Sequence, residues 1–303
     1  MDIIGKKNLF FVISLLVIIP GIISLVLFGL KLSIDFAGGS RIEVQNSEFK
    51  IKNSEQEVRK IITSDGVDIN AVWKSGEETY IVRTKPIDQA TYKKIIQDLK
   101  KKYKEMKEVS FQTIGPTISG ETTINAFKSV VFASLLIVLY IAWSFREVPK
   151  PTSSVRFGIC AIAALLHDVL VVVGIFSILG KIWGVEIDSL FITALLTVIG
   201  FSVHDTIVVF DRIRENLRRT SGVPFPKVVN ESILQTLNRS LNTSLTVILV
   251  LFSLLLFGGD SIRWFIVALL VGVVSGTYSS IFNAAPLLVL WEEWRDKKES
   301  RKQ

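Results

Sequence analysis

Apolar residues gather in six runs, at about 9–30, 124–144, 157–180, 187–209, 241–258 and 263–290. Each is long enough to cross a hydrocarbon core as a helix, which takes about twenty residues. The first run follows Lys6 and Lys7 but exceeds the 7–15 residues of a signal core, and no small-x-small cleavage site follows it. It is expected to stay as a helix, with Pro20-Gly21 predicting a kink. The intervening region 31–123 has shorter rhythms. "RIEVQ" (41–45), "DINAVWK", "TYIVRT" and "EVSFQT" alternate as strands, with "SGEE" as a hairpin signal. "SEQEVRKIITS" (54–64) and "DQATYKKIIQDLKKKY" (88–103) have helical spacing, with Ser54 and Asp88 as N-caps. The order β-α-β-β-α-β predicts a split-βαβ, ferredoxin-like α+β domain between helices 1 and 2 of a six-helix membrane protein. The expected divisions are residues 1–30 (N-terminus and helix 1), 31–123 (the α+β domain), 124–290 (helices 2–6) and 291–303 (a basic tail).

Composition agrees with a membrane chain. Of 303 residues 49% are hydrophobic, and mean hydropathy is +0.46, above what an ordinary soluble domain carries. The net charge of +7 suggests nucleic acid only until its distribution is read. Positive residues cluster at one set of loop ends: Lys6 and Lys7, Arg146 to Arg156, the loop from Asp211 to Arg239, and the tail from Arg295. The positive-inside rule then puts both termini in the cytoplasm and 31–123 outside a cytoplasmic membrane. Trp183 and Trp264 fall near the outer interface, and Trp143, Trp291 and Trp294 near the inner one. No nucleic-acid partner is expected; the lipid bilayer is.

Both histidines precede an aspartate inside an apolar run: His167-Asp168 and His204-Asp205. Asp168 lies about eleven residues above the start of helix 3, roughly the midplane at 1.5 Å per residue. There it must face the bundle interior or a wet cavity. Asp205 lies about 9 Å inside the cytoplasmic end of helix 4. Arg239, at the start of helix 5, can approach the same depth. Thr243 and Thr246 extend a polar stripe from it, and Ser202 stands one turn from Asp205. Two roles fit these groups, an ion relay and a structural ion pair. A metal site is disfavoured, because neighbouring residues of a helix diverge by about 100° and no HExxH spacing or third histidine exists. Gly272, Gly276 and Ser280, four apart, with Ser275 and Ser279 beside them, read as a close-packing surface. No cofactor is implied. The region 31–123 holds no histidine, cysteine or nucleophile motif, so an enzyme is not expected.

Four segments in order, "SIDFAGGSRIEV", "GFSVHDTIVVFDRIREN", "VNESILQTLNRSLNTSLT" and "GTYSSIFNAAPLL", resemble the SecF family over nearly the whole chain. The resemblance implies a resistance-nodulation-division-type fold completed by SecD. It implies that the proton motive force moves the outer domains to draw a preprotein from the SecYEG channel, with YajC as a further member of the complex. Asp205 matches the family's intramembrane aspartate and Arg239 its arginine, while Asp35, Gly38 and Gly39 match the motif joining helix 1 to the outer domain. His204 stands where the family usually has asparagine, which leaves its part in the relay, and the choice of proton or sodium, open. Half of a small-solute exporter of the same superfamily is the alternative; a SecD reading would need a larger outer region. An intramembrane hydrolase ranks last, for want of a nucleophile.

The orientation is testable by cysteine-accessibility labelling in a chain lacking Cys160. Cysteines at Lys74 and Lys227 are expected to label from opposite sides, Lys74 from outside. Labelling of both from one side would overturn the topology.

Overall fold

The computed structural model describes residues 2–50, 54–75, 78–149, 151–220 and 222–300. In chain order the elements are α1 (Lys7–Phe28), α2 (Ile34–Ala37), β1 (Gly39–Gln45), α3 (Ser54–Ser64), β2 (Ile69–Ser75) and β3 (Thr79–Thr84). Then come α4 (Gln89–Lys102), β4 (Lys107–Ile114), α5 (Pro116–Ser144), α6 (Ser154–Trp183) and α7 (Ser189–Arg219). The chain ends with α8 (Phe225–Phe257), α9 (Arg263–Ser279) and α10 (Ala285–Ser300), the last two joined by a turn of π-helix, Ser280–Ala284. Two compact units result: Leu32–Phe127, and Met1–Lys31 with Lys128–Gln303.

In the smaller unit the sheet is antiparallel, in the order β2-β3-β1-β4. Alternation explains it: Ile42, Val44 and Val82 point to one face and are fully buried with Val58 and Ile62 of α3 and Ile95 and Leu99 of α4. Phe49 fills the gap between Tyr80 and Tyr103, with ring centroids 4.8 and 5.2 Å away. Asp88 caps α4, accepting from the Thr91 amide at 2.9 Å. The Ser54 side chain and the hairpin residues Gly76 and Glu77 lie outside the described residues. Tyr92 of α4 donates to Glu108 of β4 at 2.9 Å, and Lys100 reaches the same carboxylate at 2.5 Å. Lys100 holds the Glu108 carboxyl below its ordinary range. Burial, and secondarily Glu108, push the Tyr92 phenol up to about 12. Gly38 and Gly39 turn α2 into β1 at φ 69° and 116°. A Cβ on Gly39 would stand 2.5 Å from the Thr84 carbonyl oxygen, so β1 and β3 approach there only because the side chain is absent.

The larger unit is a multi-pass helical bundle. Among the described residues six helices are long and apolar enough to cross a membrane, at Ile4–Phe28, Pro116–Ser144, Ser154–Trp183, Ser189–Arg219, Phe225–Phe257 and Asp260–Ser300. α9 lies inside, packed on α6, α7 and α8, while α1, α5 and α8 turn most of their apolar surface outward. α1 runs through Pro20 as one helix, and Gly21 meets Gly174 of α6 backbone to backbone. Near one end Ser24 and Ser177 share a hydrogen bond of 2.9 Å, and Trp183 and Trp264 lie together. At the end carrying both termini Lys7 pairs with Glu293 at 2.5 Å, and buried Glu292 takes Arg156 at 2.5 Å and Arg295 at 3.2 Å. Arg301 and Lys302 of the basic tail lie outside the described residues.

One expectation is corrected here. The segment from Asp211 to Arg239 is not a loop: α7 continues to Arg219 and α8 begins at Phe225. The charges that end the apolar run sit at helical spacing. Arg212 and Arg219 both pair with Glu215, and Arg214 with Asp211, so they carry the helix on into a polar medium.

Two glycines give measurable consequences. Gly39→Ala should destabilise the smaller unit by about 1–3 kcal/mol, the cost of forcing a side chain into a disallowed backbone region, read from denaturant unfolding of a fragment covering that unit. At Gly272 an added Cβ would fall 2.0 Å from a Val198 methyl. Gly272→Leu should therefore lower the melting temperature of the purified chain through overpacking worth about 1–3 kcal/mol. An unchanged melting temperature would mean that α7 and α9 do not meet there.

Candidate functional site

Two carboxylates lie inside the bundle. Asp168 is 0% exposed, near the middle of α6, and its four acceptor positions are all in use. Oδ2 accepts from Ser202 of α7 at 2.5 Å and from Ser279 of α9 at 2.6 Å. Oδ1 accepts from Ser275 of α9 at 2.7 Å and lies 3.0 Å from His167 Nδ1. Three helices are thus tied to one carboxylate. The geometry follows from spacing: Ser275 and Ser279 are four apart and so share a face of α9. Ser202 reaches in because Gly276 lets the α7 backbone come close, a Cβ there lying 3.1 Å from Ser202 Cβ.

Asp205 is 2% exposed, one turn from Ser202 on α7. Thr277 of α9 approaches it at 3.5 Å, the long limit of a hydrogen bond, and Ser240 and Ser244 of α8 face it. Ser244 and Thr277 hydroxyls are 2.5 Å apart. The set continues along α7, where Thr206 meets Ser280 at 2.8 Å and Ser280 donates to the Ser202 carbonyl at 3.3 Å. Ser280 opens the π-helical turn, and Asn283 in that turn bonds Ser14 of α1 at 2.8 Å. An extra residue in a helical turn is a common mark of functional sites.

The structure brings Asp168 together with Ser202, but it does not join Asp205 to Arg239. Arg239 is exposed and lines an open groove of about 580 Å³ with Asp211, Arg212, Glu215 and Gln235. Among the described residues it forms no ion pair with Asp205. The stripe expected from Arg239 through Thr243 and Thr246 lies on the exposed face of α8, those hydroxyls bonding their own helix at Arg239 and Asn242 carbonyls. The buried polar face is one residue round, at Thr236, Ser240 and Ser244, because each step turns a helix by about 100°. His204 is exposed beside buried Asp205 for the same reason. Gly272 and Gly276 pack on Val198 and Ser202, whereas Ser280 joins the hydrogen-bonded set. His167, Ser240, Ser244, Ser275, Thr277 and Ser279 escaped the sequence as site residues. For Ser275, Thr277 and Ser279 the small-residue spacing that marked α9 for packing was also the signal.

Among the described residues no three of His, Cys, Asp and Glu converge as metal ligands, and Cys160 is buried and free. In the other unit, Ser33 caps α2, its hydroxyl accepting from the Asp35 amide at 3.1 Å, and Gly38 closes the helix. The segment from Ser33 to Gly39 is therefore a built turn.

The profile described as "Protein export membrane protein SecD/SecF, C-terminal" matches residues 94–294, and that described as "SecD/SecF GG Motif" matches 23–45, which contains Gly38 and Gly39. The protein translocase subunit SecF of Thermobaculum terrenum is 49% identical, covering 96% of this chain and 94% of that one. The protein translocase subunit SecDF of Bacillus subtilis is 39% identical, covering 99% of this chain but 39% of its own length. The crystal structure of SecDF, a translocon-associated membrane protein from Thermus thermophilus, superimposes with a TM-score of 0.81 at 31% identity. It covers 97% of this chain and 39% of that one. A bundle of six apolar helices with a double-glycine turn after the first, matched over nearly its whole length, has one assignment: the chain belongs to the SecD/SecF family of protein-export membrane proteins, on its SecF side.

Proposed function

We propose that this SecF-like subunit works with a SecD-type partner, using ion movement through the inner membrane to promote polypeptide translocation. The observation that carries the reading is the pair of buried carboxylates, Asp168 and Asp205, set among hydroxyls. Among the described residues neither has a lysine or arginine bound to it. A carboxylate at membrane depth is expensive and is kept where it serves an ion pathway. The SecDF relatives, of which this chain spans 39%, support a SecD-type half as the complement. SecYEG, YajC and the translocating preprotein follow as partners of the same assembly.

In this reading both termini are cytoplasmic and the outer unit is the moving part. Its β-α-β-β-α-β order and antiparallel 2-3-1-4 sheet support a ferredoxin-like type. Asp205 alternates between a protonated state among Thr277, Ser240 and Ser244 and an ionised state that takes Arg239 as its cation. Arg239 in the open groove then belongs to the separated arrangement. One charge crossing the membrane supplies about 2.3 kcal/mol per 100 mV, enough to bias a bundle with two packings a few kcal/mol apart. The work is transport, with no covalent step for any residue to catalyse.

Asp205→Asn keeps the size and polarity of the side chain but cannot titrate. The variant should assemble with the SecD-type partner, melt like the parent and lose export driven by the ion gradient. Arg239→Met should lose it too, by removing the cation of the ionised state. Full export stimulation by Asp205→Asn under an imposed potential and pH gradient would sink the reading and leave the carboxylate a structural contact.

A further inference from the structure

We propose that Nε2 of His167 is a proton-binding site, with Asp168 as its fixed counter-anion. The inference rests on the ion-coupling reading above and adds a second station to it. Asp168 supplies acceptors only, and three serine hydroxyls fill its other positions at 2.5–2.7 Å. The ring nitrogen 3.0 Å from Oδ1 is therefore the one that carries hydrogen, which leaves Nε2 with a bare lone pair. Nε2 is buried and has no hydrogen-bond partner. A polar atom left unmet in a protein interior calls for a cause. An imidazole whose Nδ1–H is held by a carboxylate and whose Nε2 is vacant is the arrangement that makes histidine a base.

The proton balance is simple. The Nε2 lone pair takes one proton and becomes an N–H, while Nδ1–H stays on the carboxylate. The pair passes from a net charge of −1 to zero as a hydrogen-bonded ion pair, and releases the same proton on return. At about 20 Å along α6 from Ser154, this change occurs deep in the bundle. The surroundings are suited to it. From α7 comes the Ser202 hydroxyl, with Asp205 one turn further along; from α9 come Ser275, Ser279 and the Tyr278 ring, whose centroid is 6.5 Å from that of His167. Asp168 and Tyr278 are the titratable groups recorded against His167 among the described residues. Tyr278 donates to the Phe10 carbonyl at 2.7 Å, so a proton gained by His167 acts beside the α9 contact with α1.

The chain has only two histidines, which makes the test direct. The full-length chain, labelled with nitrogen-15 in its imidazoles and reconstituted in phospholipid bilayers, is followed by NMR from pH 8 to pH 5. The spectrum of His167→Gln assigns the resonance. The expected result is a ring with Nε2 unprotonated at the alkaline end that gains a second N–H on acidification. In Asp168→Asn the ring should populate both tautomers. A ring unprotonated at Nε2 throughout, or a tautomer indifferent to Asp168→Asn, would overturn the proposal and leave His167 a packing residue. Export driven by a pH gradient is then measured for His167→Gln beside Asp205→Asn. Loss in both supports the second station. Loss in Asp205→Asn alone overturns it while the ion-coupling reading stands, and retention in Asp205→Asn overturns that reading itself.

Discussion

The bundle is organised around one carboxylate, Asp168, that among the described residues has no lysine or arginine to answer it. Asp168 sits about midway along a membrane helix, where an aspartate costs on the order of 2.5–3.5 kcal/mol on the insertion scale. Hydrogen bonds to a charged group contribute about 1.5–3 kcal/mol each, so two of its donors already offset that cost. The donors come from α7 and α9 to a carboxylate carried by α6. The carboxylate therefore cannot be satisfied unless three helices stand in one relative position. Hydrophobic attraction contributes little between helices in lipid, so polar contacts of this kind take over the task of specifying the packing.

Much of the architecture was legible because each solvent leaves its own period. The apolar runs marked the membrane helices, and the alternation of Ile42 and Val44 marked β1 with its buried face. The failure fell between those regimes. From Asp211 the apolar run stops but the helix does not, since Arg212, Glu215 and Arg219 support it with charge pairs in a polar medium. Hydropathy measures which solvent a segment meets, whereas helix length depends on local pairing.

The site was half legible for a similar reason. Both aspartates stood out because a charge in an apolar run is costly wherever it points. Their partners did not stand out, because serine and threonine are cheap in a membrane helix and can bond their own backbone, as Thr243 and Thr246 do. The face of α8 was misjudged by a single residue. Starting the stripe at Arg239 led to Thr243, while starting at Ser240 leads to Ser244 and to the buried neighbourhood of Asp205. A cation was sought for Asp205 because an unpaired carboxylate is costly at membrane depth. Here a set of hydroxyls stands where the arginine was expected.

Packing and chemistry are inseparable in α9. Gly272 and Gly276 admit Val198 and Ser202 at backbone range, and that approach is what brings the Ser202 hydroxyl to Asp168. A larger residue at 276 would push α7 outward and strip the carboxylate of a donor, without touching it. The π-helical turn then adds a residue to the helix. Regular α-helix would carry Ser279 and Asn283 on one face, toward α6. The wider turn instead lets Ser280 meet Thr206 of α7 while Asn283 reaches Ser14 of α1. One stretch of small and hydroxylated residues thus addresses α1, α6, α7 and α8 in turn. A helix so connected cannot shift against one neighbour without disturbing the hydrogen bonds of the others. That is the mechanical condition for a change of charge beside α9, at Asp168, to be felt at α1.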